Sequence, residues 1–389
     1  MGQVKEIIEK CERYIMNTYR RLPVVFAEGK GAKLFDIEGR EYIDFVAGIA
    51  VNNLGYGHPK VVEAIKRQCE RLIHISNLFY IKEQIDFAEL LIENSPLDKV
   101  FFANSGAEAI EASIKLAKKI TGRDVFISAY NSFHGRTFGA LSLTGQEKYR
   151  KKFEPLMNRV KYVKYGNEEE IKEAINKKVA AVVLEPVQGE GGVIVPPEGY
   201  LKAVRDICDE KGVLLIFDEV QTGFGRTGKL FACQRFSVTP DIMAFAKAAG
   251  GGLPIGGIMA REGLEFDVGE HASTFGGNPL VCAAARASLL TILEENLPQR
   301  AENVGKWFMK ELRRLSSVYE IREMRGVGLM IGVEFEKEIA RKVVLNSLKK
   351  GLVLNNTYEN VIRIVPPLII EKEDLKKGVD IICEVGEDD

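Results

Sequence analysis

The hydrophobic positions of this chain change period along its length, and the changes divide it. KLFDI (33–37) and EYIDFV (41–46) alternate apolar and polar positions around Glu38-Gly39, which predicts a hairpin. From about residue 59, helix-period segments at 60–72, 84–93 and 108–119 alternate with short, continuously apolar runs. The runs are VFFA (100–103), VFIS (125–128), VKYV (160–163), AAVVLE (180–185), VLLIF (213–217), IMAFA (242–246) and IGGIMA (255–260). Strands apolar on both faces, joined by helices, predict a mostly parallel sheet covered on both sides.

After Pro279 two long helical stretches, 280–295 and 299–315, lead into strands IREMRG and LMIGVEF, a helix at 337–350, a strand pair (LVLNN, VIRIV) and a last helix at 372–384. The expectation is an α/β chain: an N-terminal segment (1–55) that contributes to a small domain, a large domain (56–278) built on the sheet, and a C-terminal small α+β domain (279–389). No internal repeat or low-complexity tract interrupts it.

Composition narrows the functions open to such a chain. With 389 residues it has ample length for a large core, and 54 Lys+Arg against 55 Asp+Glu leave a formal charge of -1. No global positive field invites nucleic acid or an anionic membrane, so any anion site must be local. Six cysteines without a CxxC spacing and four histidines without an HExxH arrangement argue against a metal site and fit reduced thiols. No apolar run reaches the roughly 18 residues of a membrane span, and the N-terminus is charged without a signal-peptide core. A cytoplasmic protein is expected.

The chemistry concentrates in VLLIFDEVQTGFGRTG (213–228) and in DIMAFAKAAGGGLPIGG, which follows it. Asp218 leaves a buried strand, and Lys247 stands in an apolar run where an amine loses its hydration. That pair suits pyridoxal phosphate chemistry: the lysine forms a Schiff base, and an acid keeps the pyridine nitrogen protonated so that the ring draws electrons. For Lys247 taken alone, a strand-end lysine whose head snorkels to water is the commoner reading.

Other strings add parts. In VFFANSGAEAIEASIKLAKK (100–119) a strand runs through Ser105-Gly106 into a helix, which fits both a phosphate cradle and a plain serine N-cap. NSFHGRTFGALS (131–142) offers Phe133 to cover a planar group and Arg136 to fork onto a carboxylate, or ordinary loop packing. LEPVQGEGG (184–192) sets Glu190 in a glycine loop beyond a strand's carboxyl end, where α/β sheets bind ligands. HASTFGGNPL (271–280) presents Ser273 and Thr274 ahead of a helix, and VIRIVPPLII (361–370) puts Arg363 in an apolar strand. GFGRTGK (223–229) imitates two nucleotide-binding patterns, but Leu230 replaces the Ser or Thr that would hold magnesium, so its glycines are read as a turn.

The order and co-occurrence of these strings, from about Tyr19 to Ile370, resemble the class III aminotransferases of pyridoxal phosphate fold type I (aspartate aminotransferase-like), and within them the acetylornithine branch. The resemblance implies pyridoxal 5'-phosphate bound through Lys247, with Asp218 on the pyridinium nitrogen, Phe133 and Val220 on the two ring faces, and Gln221 at the phenolic oxygen. Ser105, Gly106 and Ala107 would hold the phosphate, joined by Thr274 of the partner subunit in a homodimer, and Glu219 would be a further cofactor contact. Arg136 would take the distal carboxylate of N-acetylornithine or 2-oxoglutarate, with Ser273 and Tyr19 beside the substrate. Arg363 would take the α-carboxylate of glutamate, and Glu190 would neutralise Arg363 when a terminal-amine substrate is bound. Ile49 falls where ornithine δ-aminotransferases carry a tyrosine that recognises a free α-amino group, which leans toward N-acylated substrates. Related ω-aminotransferases and the glutamate-1-semialdehyde aminomutases are the alternatives.

Overall fold

The computed structural model describes residues 2–387. The predicted hairpin forms inside a three-stranded antiparallel meander of β1 (Phe26–Lys30), β2 (Lys33–Asp36) and β3 (Glu41–Asp44), with Leu34 opposite Tyr42. Its turn is set by Asp36, whose Oδ1 accepts from the backbone N–H of Glu38 and Arg40 at 2.9 Å each, while Gly39 takes φ +81°.

All seven apolar runs become strands of one sheet: β4 (Lys99–Ala103), β5 (Val125–Ala129), β6 (Val160–Val163), β7 (Val179–Leu184), β8 (Leu214–Asp218), β9 (Ile242–Ala246) and β10 (Gly256–Ala260). The order across it is β4-β10-β9-β8-β7-β5-β6, and only β10 runs against its neighbours. β10 fits there because it opens on glycines: a Cβ on Gly256 would stand 2.3 Å from the Ser105 carbonyl oxygen. The close approach holds the turn between β4 and the helix Gly106–Thr121 against the sheet's carboxyl edge.

The C-terminal region adds β11 (Ile321–Val327), β12 (Met330–Phe335), β13 (Leu352–Val353), β14 (Asn355–Tyr358) and β15 (Val361–Ile364). The run LVLNN, expected as one strand, splits. β13 pairs in parallel with β3 and so joins the N-terminal meander, whereas β14 pairs with β15 in an antiparallel sheet of order β11-β12-β15-β14. The remaining predicted helices form as Pro279–Glu294, Leu297–Leu312, Ala340–Lys349 and Lys372–Glu387.

GFGRTGK forms turns, and its arginine is a clamp. Arg226 is fully buried, and its guanidinium donates to the carbonyls of Leu329 (2.9 Å) and Pro366 (2.5 Å) and to Asn53 Oδ1 (2.5 Å). It thereby fastens the turn after β8 to the N- and C-terminal segments at once. Burial pushes its pKa down to about 9, opposed by the Asp44 carboxylate. Arg226→Leu should cost about 3 kcal/mol of unfolding free energy, because three buried oxygens lose their donor and this outweighs relief of the buried cation. A urea midpoint within error of the wild type would contradict this.

Candidate active site

The carboxyl ends of β4, β5, β7, β8 and β9 open on a cavity of about 490 Å³. Openings at the strand ends of a doubly covered sheet are where such folds bind ligands. Its floor is Asp218, the last residue of β8. Asp218 Oδ2 accepts from His134 Nδ1 at 2.7 Å, and Oδ1 accepts from the Val220 N–H at 3.1 Å. His134 is buried, which disfavours its charge, but the hydrogen bond and charge of Asp218 outweigh burial and raise its pKa. With two of its contacts fixed by the His134 ring and the Val220 N–H, Asp218 is held where its carboxylate can meet a positively charged N–H of a ligand.

Lys247 follows β9 with φ +49°, a left-handed conformation that is uncommon for a non-glycine residue. Burial pushes its amine down to about 8; the Glu190 carboxylate opposes this and Arg363 reinforces it. The amine is protonated below that value, so capture of an aldehyde by the apo-protein should accelerate with rising pH and level off above about 8. Glu190→Gln removes the main charge that raises the pKa, so the midpoint should move down. Stopped-flow uptake across pH checks this, and a midpoint that rises would contradict it.

The cavity has an anion cradle at one end. Ser105 is the N-cap of the helix Gly106–Thr121, its Oγ accepting from the Glu108 N–H at 3.2 Å, and the first-turn amides of that 16-residue helix border the cavity. Gly106 has no room for a side chain: a Cβ would lie 2.9 Å from both Cγ atoms of Val220. Glycine therefore brings the helix start against the wall that Val220 forms. Phe133 and Ala107 also line the cavity.

Two arginines with different surroundings belong to the site, Arg136 in the cavity lining and Arg363 behind the lining residues Glu190 and Gln221. Arg363, in β15, is fully buried and paired with Glu190; it also donates to Gln221 Oε1 at 3.3 Å, and among the described residues its Nη2 has no partner. Burial disfavours the Glu190 charge, but Arg363 and Lys247 outweigh it and hold the carboxyl below its usual range. Arg136 is exposed at the mouth, its guanidinium 4.0 Å from the Tyr149 ring centre and 5.5 Å from that of Phe133. Among the described residues it has no carboxylate partner.

Four expected site residues lie elsewhere. The Glu219 carboxylate faces away from the cavity: it accepts from Thr222 Oγ1 (2.8 Å) and from the N–H groups of Ala232 and Cys233 (2.7 Å each), capping the short helix Ala232–Arg235. Alternation along a chain leaving a strand turns neighbours to opposite sides, so Asp218 inward puts Glu219 outward. Tyr19 is 71% exposed, with the Arg21 guanidinium over its ring. Ser273 and Thr274 border a separate surface cleft, where Ser273 Oγ accepts from Asn104 Nδ2 at 3.1 Å. Three residues without an assigned role sit at or beside the site: His134, Glu185 and Tyr149. The loop string contained His134, but nothing in its spacing pointed it at Asp218.

Residues 14–385 match the family model of the class-III aminotransferases. The acetylornithine aminotransferase of Methanothermobacter thermautotrophicus is 52% identical over 387 residues, covering 99% of each chain. That of Methanosarcina mazei is 54% identical over 377 residues, 97% of this chain and 95% of its own. Among solved structures, the ornithine aminotransferase of Toxoplasma gondii superposes with a TM-score of 0.95 at 35% identity, covering 99% of this chain and 95% of that one. The acetylornithine aminotransferase of Elizabethkingia anophelis gives 0.88 at 33% identity, with 99% of each chain covered. The fold is pyridoxal phosphate fold type I, and with a family match across nearly the whole chain and a half-buried lysine and an aspartate in one cavity, this chain belongs to the class-III aminotransferases.

Proposed function

We propose that this enzyme moves the terminal amino group of N2-acetyl-L-ornithine to 2-oxoglutarate, giving N-acetyl-L-glutamate 5-semialdehyde and L-glutamate, a step of arginine biosynthesis. The observation that carries the reading is the Arg363–Glu190 pair beside Lys247, with Arg136 unpaired at the mouth. One cleft must accept an amine that has no adjacent carboxylate and then an α-amino acid that has one. A cation masked by a removable carboxylate answers the first need and the second in turn.

The cofactor of the family is pyridoxal 5'-phosphate, which when bound supplies an electron sink for the carbanion left by proton removal. The residues here fit it. Ser105, Gly106 and Ala107 would hold its phosphate, Phe133 and Val220 its ring faces, Gln221 its phenolic oxygen and Asp218 its ring nitrogen. Lys247 removes a proton from the substrate carbon that bears the amine, for which a neutral amine is required. Arg136 orients the distal carboxylate of either substrate, and Arg363 is released by Glu190 only when an α-carboxylate replaces it.

The acyl group of the donor is supported by Ile49, an aliphatic side chain with no hydroxyl to offer a free α-ammonium, and by relatives about half identical that carry the name acetylornithine aminotransferase. Ornithine is the second reading, favoured by the TM-score of 0.95 to an ornithine aminotransferase. Single-turnover reaction of the holoenzyme with each amine in parallel decides between them: N-acetylornithine should react fastest, and a faster reaction with ornithine or 4-aminobutyrate would overturn the assignment.

A homodimer belongs to this proposal. Leu78 and Tyr80, 87% and 99% exposed, share one stretch with the exposed Ile73 and Phe79, and Asn77 Nδ2 ties that stretch to the carbonyls of Ser273 and Gly276 at 3.0 Å each. A second copy covering this face would carry Thr274 into the neighbouring cavity, which fits its place outside the lining of the Lys247 cavity in its own chain. Among the described residues no helix is long and apolar enough to cross a membrane, and a cytoplasmic location fits the reading.

A further inference from the structure

We infer that Glu185 is a positioning residue that joins the loop carrying Phe133 to the loop carrying Glu190, and so sets Glu190 on Arg363. The inference rests on the proposed use of that pair. Glu185 follows β7, is 6% exposed and lines the cavity. Its two oxygens go to different loops: Oε2 accepts from the Phe133 N–H at 3.1 Å and Oε1 from the Gly189 N–H at 3.0 Å.

Gly189 is the residue before Glu190, and its surroundings leave it little freedom. A Cβ there would stand 2.6 Å from the Gln221 side chain, the same side chain that accepts from Arg363. On either side the loop is already held. Tyr165 Oη donates to the carbonyls of Glu185 (3.0 Å) and Pro186 (2.8 Å), and Gln188 exchanges backbone hydrogen bonds with Ile194 at 3.0 Å each. The Gly189 carbonyl accepts from the N–H groups of Gly192 (3.2 Å) and Val193 (3.3 Å), and the Glu185–Gly189 bond fixes the other side of the residue, the peptide N–H just before Glu190. With that bond in place, the release of Arg363 is confined to the Glu190 side chain, and the backbone stays where the pair can re-form.

The choice of residue type follows from the same geometry. Two N–H groups need two acceptor oxygens, and only a carboxylate offers both; a glutamine in this place would set its own NH₂ against one of them. A carboxylate is costly here: burial, reinforced by Asp218, pushes its pKa up to about 7, against His134 and the two amides. Simple packing would not require such a group.

The test uses the holoenzyme and measures its two half-reactions separately, with N-acetylornithine and with glutamate as amine donor. Glu190 must rest on Arg363 in the first and has left it in the second. Displacement of Phe133 slows both by a common factor, so the ratio of the two kcat/KM values reports on Glu190. In Glu185→Ala that ratio should fall about tenfold against N-acetylornithine, the scale of a lost hydrogen bond to a charged group. Glu185→Gln, which keeps one acceptor, should give an intermediate fall. An unchanged ratio in either folded variant overturns the inference; should the alanine variant not fold, the glutamine variant alone decides it. A wild-type enzyme that performs neither half-reaction would instead overturn the proposed function.

Discussion

Lys247→Ala is expected to lower transamination about 10⁴-fold, the upper range for loss of a positioned proton carrier, with the fold unharmed. Lys247 is the only lysine among the residues lining the cavity, so no second amine stands ready to move the proton. The fold should survive because the native structure already disfavours the ammonium: burial depresses its pKa to about 8, which means the folded state gains nothing from that charge. Alanine removes a desolvated cation and leaves Glu190 its pair with Arg363. Turnover assays and thermal melting together check this, and a variant with wild-type turnover would sink the assignment of Lys247.

Asp218→Asn is expected to cost about 10³-fold in turnover, the scale of removing a preorganised charge from a water-poor site. The amide oxygen of asparagine can still accept from the Val220 N–H, while its NH₂ takes the place of the oxygen that accepts from His134, so the charge and that acceptor are lost together. The loss spreads to His134. Burial disfavours its charge and the hydrogen bond and charge of Asp218, helped by Glu185, outweigh that, so removing the Asp218 carboxylate should lower its pKa. Neither a positive ring nitrogen nor its carboxylate partner would then be maintained. Turnover within tenfold of the wild type would show that the carboxylate is not the group facing the ring.

Much of this was legible in the chain because the large sheet is buried on both faces, which makes its strands plain apolar runs. All seven were found within a residue or so of their ends. The failures have physical causes. β1 was missed because FAEGK lies at a sheet edge and has no buried residue to produce alternation. LVLNN looked like one strand because Leu352 to Leu354 are all buried, yet they lie where the chain passes from one sheet to another.

The site was legible as pieces. Asp218, Lys247 and the Ser105-Gly106 turn could be placed because each stands at a strand end, where position along the chain fixes position in space. Partnerships formed across long sequence separations were not visible from spacing: His134 with Asp218, Glu185 with two loops, Arg226 with three. Glu219 was misplaced for the opposite reason. Adjacency to Asp218 suggested a shared role, while the geometry of a chain leaving a strand sends the two side chains apart.

The central claim is that this cavity is the catalytic centre and that Lys247 is the residue through which the cofactor is held. Borohydride treatment of the holoprotein followed by peptide mass mapping tests it most directly. The cofactor's mass should appear on Lys247 and on no other lysine. Labelling of a different lysine, or a holoprotein that takes no label, would contradict it.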